Sequence, residues 1–166
     1  MTTIYLIRHG QASFGAESYD KLSPNGELQA KLLGRYFDEI LKEAPYVVAG
    51  SMQRHQQTAQ LALAECFPES EPVTDSAWNE FNHQQVFAQY EPRFNQPELL
   101  KEDVSQHANP RAYLSKIFEG AIERWTGGDY HHEYEESWPD FKHRVETALQ
   151  HLCDDLAEKK PRYAVV

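Results

Sequence analysis

The run Thr3-Ile4-Tyr5-Leu6-Ile7-Arg8-His9-Gly10 decides how the rest of the chain is read. Thr3 to Ile7 is apolar and rich in β-branched residues, a pattern that suits a strand inside a sheet. It stops abruptly at a cation, an imidazole and a glycine. Open α/β sheets bind ligands outside the carboxyl ends of their strands, so this strand aims Arg8 and His9 into a cleft. An imidazole can attack phosphorus and hold the group covalently, which splits one hard displacement into two easier ones. A neighbouring guanidinium matches phosphoryl oxygens with a planar fork of donors and stays charged at any working pH. Gly10 lets the backbone come close to an anion. Arg-His-Gly is also an ordinary way to end a surface strand, so the choice falls to the residues that follow.

Downstream, Gln11 to Asp20 is a loop of polar and small residues. Ser23 is a good helix N-cap and Pro24 suits the first helical position. The helix is expected from Pro24 to Leu41, with Leu28, Leu32, Tyr36 and Ile40 as its core stripe. Tyr46 to Gly50 is a second buried strand and leads through Ser51-Met52-Gln53-Arg54 into another helix. That repeats the first pattern: apolar run, arginine at the carboxyl end, helix. The helix amino end offers free N–H groups to an anion, and Arg54 becomes the second phosphate clamp. The alternation of strands and helices predicts an α/β fold, a three-layer α/β/α arrangement around a mainly parallel sheet. Pro72 to Thr74 is a short third strand. It leads to Glu80, which lies between Trp78 and Phe81, where partial burial would raise its pKa toward that of a general acid.

Residues 82–109 show no sustained period and at most a short helix around Glu98 to Val104. They are read as a lid or specificity insert within a single domain spanning 1–166. Pro110 opens a helix with Leu114, Ile117, Ala121 and Trp125 on one face. Ser137 caps another, with Asp140 as its partner and Trp138, Phe141, Val145, Leu149, Leu152 and Leu156 as its stripe. Arg162 to Val166 is a further core strand. The adjacent His131 and His132 are poorly spaced to chelate one ion, and no cysteine cluster or HExxH motif is present, so no metal site and no cofactor are expected.

With 16 Lys and Arg against 26 Asp and Glu, the net charge is −10. That disfavours nucleic acid and anionic membranes as partners. It also requires a local positive pocket for any phosphorylated substrate. No apolar run can span a bilayer, and the first strand leaves no room for a signal peptide. Cys66 and Cys153 share no motif and are read as buried free thiols, which fits a reducing cytoplasm.

Arg8-His9-Gly10, then Leu22-Ser23-Pro24-Asn25-Gly26 with Gln29-Ala30, then Ser51-Met52-Gln53-Arg54 with Gln57-Thr58-Ala59 together resemble the histidine phosphatase superfamily, with its phosphoglycerate mutase-like fold. The resemblance implies that His9 is the residue phosphorylated, that Arg8 and Arg54 hold the phosphoryl group, and that Glu80 protonates the leaving group. Gly10, Gln11 and Ser13 are the expected substrate-binding positions. No metal is needed, because catalysis rests on positioned charge around the transferring group.

Two departures shape the expectation. Gln11, Ala12 and Gly15 replace polar groups of the mutases, which favours a phosphatase acting on a small phosphorylated substrate over a mutase. The family also carries a second active-site histidine after the strand that corresponds to Arg162–Val166, and no histidine of this chain stands at that position. The chain is therefore expected to be a fragment of a longer protein, with a weakened phosphate pocket and self-association into a homo-oligomer through an exposed sheet edge. The competing reading is a noncatalytic module that uses Arg8, His9 and Arg54 as an anion cradle.

Overall fold

The computed structural model describes residues 1–13 and 20–166. Gly15, one of the departures noted above, lies outside the described residues together with the rest of 14–19.

The chain divides into two compact units, Met1–Glu80 with Val145–Val166, and Phe81–Arg144. The first is built on a four-stranded parallel sheet of β1 (Thr3–Tyr5), β2 (Tyr46–Ala49), β3 (Val73–Thr74) and β4 (Tyr163–Val165), in the order β1-β4-β2-β3. The strand expected over Arg162–Val166 thus lies inside the sheet, paired on both sides. One face of the sheet carries Tyr5, Ile7, Val47, Tyr163 and Val165, packed against Phe37, Leu41 and Leu63 of the α1 (Pro24–Ile40) and α2 (Gln53–Cys66) region. The opposite face carries Ile4, Val48 and Ala164 against Leu152 and Leu156 of α6 (Trp138–Lys159). Alternate residues of each strand point to opposite faces, and this alternation produces the expected α/β/α layering.

α1 starts as its sequence dictates. The Ser23 hydroxyl accepts a hydrogen bond from Gly26 N–H, and Pro24 occupies the first turn. Its buried face differs from the expected one. Leu28, Leu32 and Tyr36 are 52%, 51% and 55% exposed, whereas Gly26, Ala30, Gly34 and Phe37 are buried. Small residues win because α1 sits backbone to backbone against its neighbours. A Cβ on Gly34 would collide with the Ala62 carbonyl of α2, and one on Gly26 with the backbone of Gln11. A leucine ridge cannot pack that closely.

In α6, Ala148 is buried and Leu149 exposed, a one-residue shift of the expected stripe at that turn. The Ser137–Asp140 capping pair forms as expected. Both cysteines are free, but Cys153 is exposed and Cys66 half-buried, so neither is the fully buried thiol that the apolar neighbours suggested.

The second unit is helical. The stretch 82–109 contains α4 (Pro97–Gln106), longer than the expected Glu98–Val104, and α3 (His83–Tyr90), a helix its weak periodicity did not suggest. α3 joins α5 (Pro110–Thr126) around Val86, Trp125 and Tyr134, with Phe81, Phe87 and Phe141 packed alongside, and α4 lies against α5. Aromatic stacking orders the segment where aliphatic periodicity is missing: Phe87 stacks on Phe118 at 4.7 Å and Phe81 on Trp125 at 4.7 Å. No helix among the described residues is long and apolar enough to cross a membrane.

Candidate active site

The strand end Arg8-His9-Gly10 is held by short, specific contacts. Gly10 N–H donates to the Thr58 hydroxyl at 3.1 Å, and Thr58 donates in turn to the Arg54 carbonyl at 2.7 Å. The first motif is thereby tied to the first turns of α2. A Cβ on Gly10 would lie 2.5 Å from the Gly26 carbonyl, so the close approach this glycine permits is to the start of α1. The Gln29 side chain accepts from Gln11 N–H, and the Gln57 side chain accepts from Leu22 N–H. Polar residues of the three motifs therefore fasten their loops to one another.

His9 is oriented by its own turn. Its Nδ1 lies 2.6 Å from the Gly10 carbonyl oxygen. A carbonyl can only accept, so Nδ1 carries a proton and Nε2 is the ring nitrogen turned toward the rest of the site. Nε2 lies 3.3 Å from Glu80 Oε2, and the same oxygen accepts from Arg54 at 2.7 Å. The structure thus brings His9, Arg54 and Glu80 together from positions 9, 54 and 80. Arg8 is exposed and makes no ion pair with a described residue. Among the two other expected positions, the Gln11 side chain accepts from Ser23 and Asn25, and the Ser13 hydroxyl donates to the Leu22 carbonyl. Both side chains shape the loop.

Glu80 is placed by its neighbours. Asp75 caps the short 3-10 turn Ser76–Trp78, Trp78 packs on the sheet core, and Asn79 accepts from Ser51 N–H at 2.7 Å. The loop after β3 is thereby pinned to the loop after β2. The carboxyl was expected to titrate high, but its pKa falls to about 2. The hydrogen bond to His9 is the largest cause, and Arg54 adds to it. Burial acts in the raising direction, and the hydrogen bonds from His9 and Arg54 overcome it.

Three residues of the site were not legible as such. Asp20 pairs with Arg54 at 2.8 Å and also accepts from Gln53 N–H at 2.8 Å. It therefore occupies an N–H of the helix end that was expected to be open to an anion. The arrangement explains how Arg54, only 3% exposed, is tolerated in a helix first turn: it is flanked by two carboxylates. His55 is the second. Its ring lies 5.5 Å from that of His9, and burial, followed by the charges of Arg54 and His9, lowers its pKa to about 4. Thr58, part of the third motif, is the third. Thr58 stood in the quoted motif without an assigned role, His55 stands one residue after Arg54 on α2, and Asp20 reaches the same helix end from the loop before α1.

His9, His55 and Glu80 each bring one donor atom within 4.8 Å of the others, a set that could hold a divalent ion. Its members stand up to 71 residues apart, so no local motif marks the set. With His9 Nδ1 committed to the Gly10 carbonyl, an ion there would engage the His9 Nε2 lone pair.

An oriented imidazole, a carboxylate and a buried guanidinium meeting at the carboxyl ends of parallel strands form a phosphoryl-transfer geometry. The model of the histidine phosphatase superfamily (branch 1) matches residues 4–166. The chain belongs to the histidine phosphatase superfamily. A search of curated proteins finds no match. Members of this superfamily are generally phosphatases or phosphotransferases, and in this histidine phosphatase-like chain the matched region contains every residue of the site described above.

Proposed function

We propose that this protein is a metal-independent phosphomonoesterase that works through a phosphohistidine on His9. The observation that carries the reading is the convergence on one carboxylate oxygen of His9 Nε2 at 3.3 Å and Arg54 at 2.7 Å, with His9 Nδ1 already committed to Gly10. A hydrogen bond between Nε2 and Glu80 needs a proton between them. That proton is the one the reaction uses.

When a phosphomonoester enters, Arg54 and Arg8 turn their donors to the phosphoryl oxygens. Glu80 loses the Arg54 contact that helped keep it ionised and takes the Nε2 proton. The bare Nε2 lone pair attacks phosphorus, the bond from phosphorus to the ester oxygen breaks, and Glu80 passes its proton to that oxygen. An alcohol leaves. In the second half, water attacks the phosphohistidine, Glu80 takes one of its protons, and the P–N bond breaks to return the electron pair to Nε2. The sum is ester plus water to alcohol plus phosphate. Glu80 alternates between base and acid because its cationic partner comes and goes.

The test is phosphate release from p-nitrophenyl phosphate in the presence of EDTA by the wild type and by His9→Ala. Activity that survives EDTA and is lost in the variant supports the reading, together with a base-stable phosphoenzyme found only in the wild type. Loss of activity to the chelator, or full activity in His9→Ala, would overturn it.

A further inference from the structure

We propose that His55 is a second imidazole of the phosphoryl pocket, which donates a ring N–H to an oxygen of the group captured by His9. The inference rests on the phosphoryl-transfer reading of the site and extends it to a residue that neither the motifs nor the position of the family's second histidine singles out.

Three observations carry it. First, the Glu80 carboxylate held by Arg54 and His9 marks where the site receives negative charge, and a ring nitrogen of His55 lies within 4.8 Å of a Glu80 carboxylate oxygen and of a ring nitrogen of His9. A single carboxylate oxygen does not satisfy His55 from there. A tetrahedral phosphoryl group, with several oxygens around one centre, reaches donors that one oxygen misses. Second, His55 follows Arg54 on the first turn of α2, and that turn is fixed by Asp20 on Gln53 N–H and by the Gln56 side chain on the Gly50 carbonyl at 2.7 Å. Its donor is therefore preorganised together with the clamp. Third, His55 Nδ1 is buried without a partner among the described residues. Leaving a lone pair there is tolerable, but leaving an N–H there is costly. The ring therefore keeps a proton on Nε2, as a donor.

A fixed donor aimed at developing charge contributes about 100-fold or more to rate in comparable sites. His55→Ala is expected to lower kcat by about 100-fold and to weaken binding of orthovanadate, a trigonal-bipyramidal phosphoryl mimic, by about tenfold. His55→Gln, which retains an N–H donor at a similar reach, is expected to recover most of the vanadate affinity. Circular dichroism melts of both variants establish that they fold. The probes are orthovanadate binding by calorimetry and turnover of p-nitrophenyl phosphate, each measured on the wild type, His9→Ala and the two His55 variants. If His9→Ala loses turnover while folded His55→Ala keeps vanadate affinity and kcat within twofold of the wild type, the role of His55 is overturned and the phosphatase reading stands. If His55→Ala and His55→Gln lose affinity equally, the donor role is also overturned. If the wild type neither binds vanadate nor turns over, both readings fall together.

Discussion

Replacing Glu80 by Gln should move binding and turnover in opposite directions. On the proposed mechanism the Glu80 carboxylate, 2.7 Å from Arg54 and 3.3 Å from His9 Nε2, lies where a phosphoryl oxygen would be held. Phosphate must break both contacts and must also approach a negative charge. A charge-assisted hydrogen bond contributes about 1.5–3 kcal/mol. The carboxylate is 42% exposed, and solvent screening reduces the competing interaction to about 1 kcal/mol. Removing the charge should therefore tighten inorganic phosphate binding by about fivefold, read by calorimetry at fixed salt. Turnover should fall about 100- to 10,000-fold, the usual contribution of a general acid, but only where the leaving group needs a proton. An alkyl phosphate should show nearly the whole loss. p-Nitrophenyl phosphate, whose phenolate leaves unaided, should show much less. Equal losses on the two substrates, or weaker phosphate binding by Glu80→Gln, would refute the assignment of Glu80 as both anion competitor and acid.

Acid should weaken the fold through His55. Its pKa is 6.5 unfolded and about 4 folded, so the unfolded chain binds the extra proton first as pH drops. Stability is full above 6.5 and declines toward 4, by at most about 3 kcal/mol before screening. Urea titrations at intervals over that window should show a shallower decline for His55→Gln, and an identical slope would count against it. Asp20→Ala should lower the melting temperature more than Asp20→Asn, because the amide oxygen can still accept from Gln53 N–H. With Asp20 partly exposed, the loss for Asp20→Ala is about 1–2 kcal/mol, or roughly 3–6 °C, and unchanged melting would sink the clamp role. Gly34→Ala should destabilise by about 1–2 kcal/mol in urea despite alanine's better helix propensity, because the new Cβ meets the Ala62 carbonyl. Leu32→Lys, on the exposed stripe, should change stability by less than about 0.5 kcal/mol. The reverse ranking would mean that the expected stripe is the buried one.

Much of the site was visible in linear order because its key residues follow strand ends. A buried apolar run announces itself by composition, and the residue at its carboxyl end inherits a location at the cleft. That logic reached His9 and Arg54, and with the family resemblance it reached Glu80. It could not reach Asp20 or His55. Asp20 matters only because the loop carrying it returns to the start of α2, and His55 only because the first turn of that helix faces the end of β1. It also gave the wrong sign for the Glu80 pKa. Burial can be guessed from neighbouring Trp78 and Phe81, but the two hydrogen-bond partners come from positions 9 and 54.

The same division holds for the fold. Period and capping residues were enough to determine that strands alternate with helices, where α1 and α6 begin, and that the sheet is parallel. Which face of α1 is buried was decided only in three dimensions. Leu28, Leu32 and Tyr36 offer the larger apolar area, yet Gly26, Ala30 and Gly34 are the residues inside. Hydrophobicity is a property of each side chain, and sequence displays it. Close approach is a property of two backbones at once, and it exists only after both have folded.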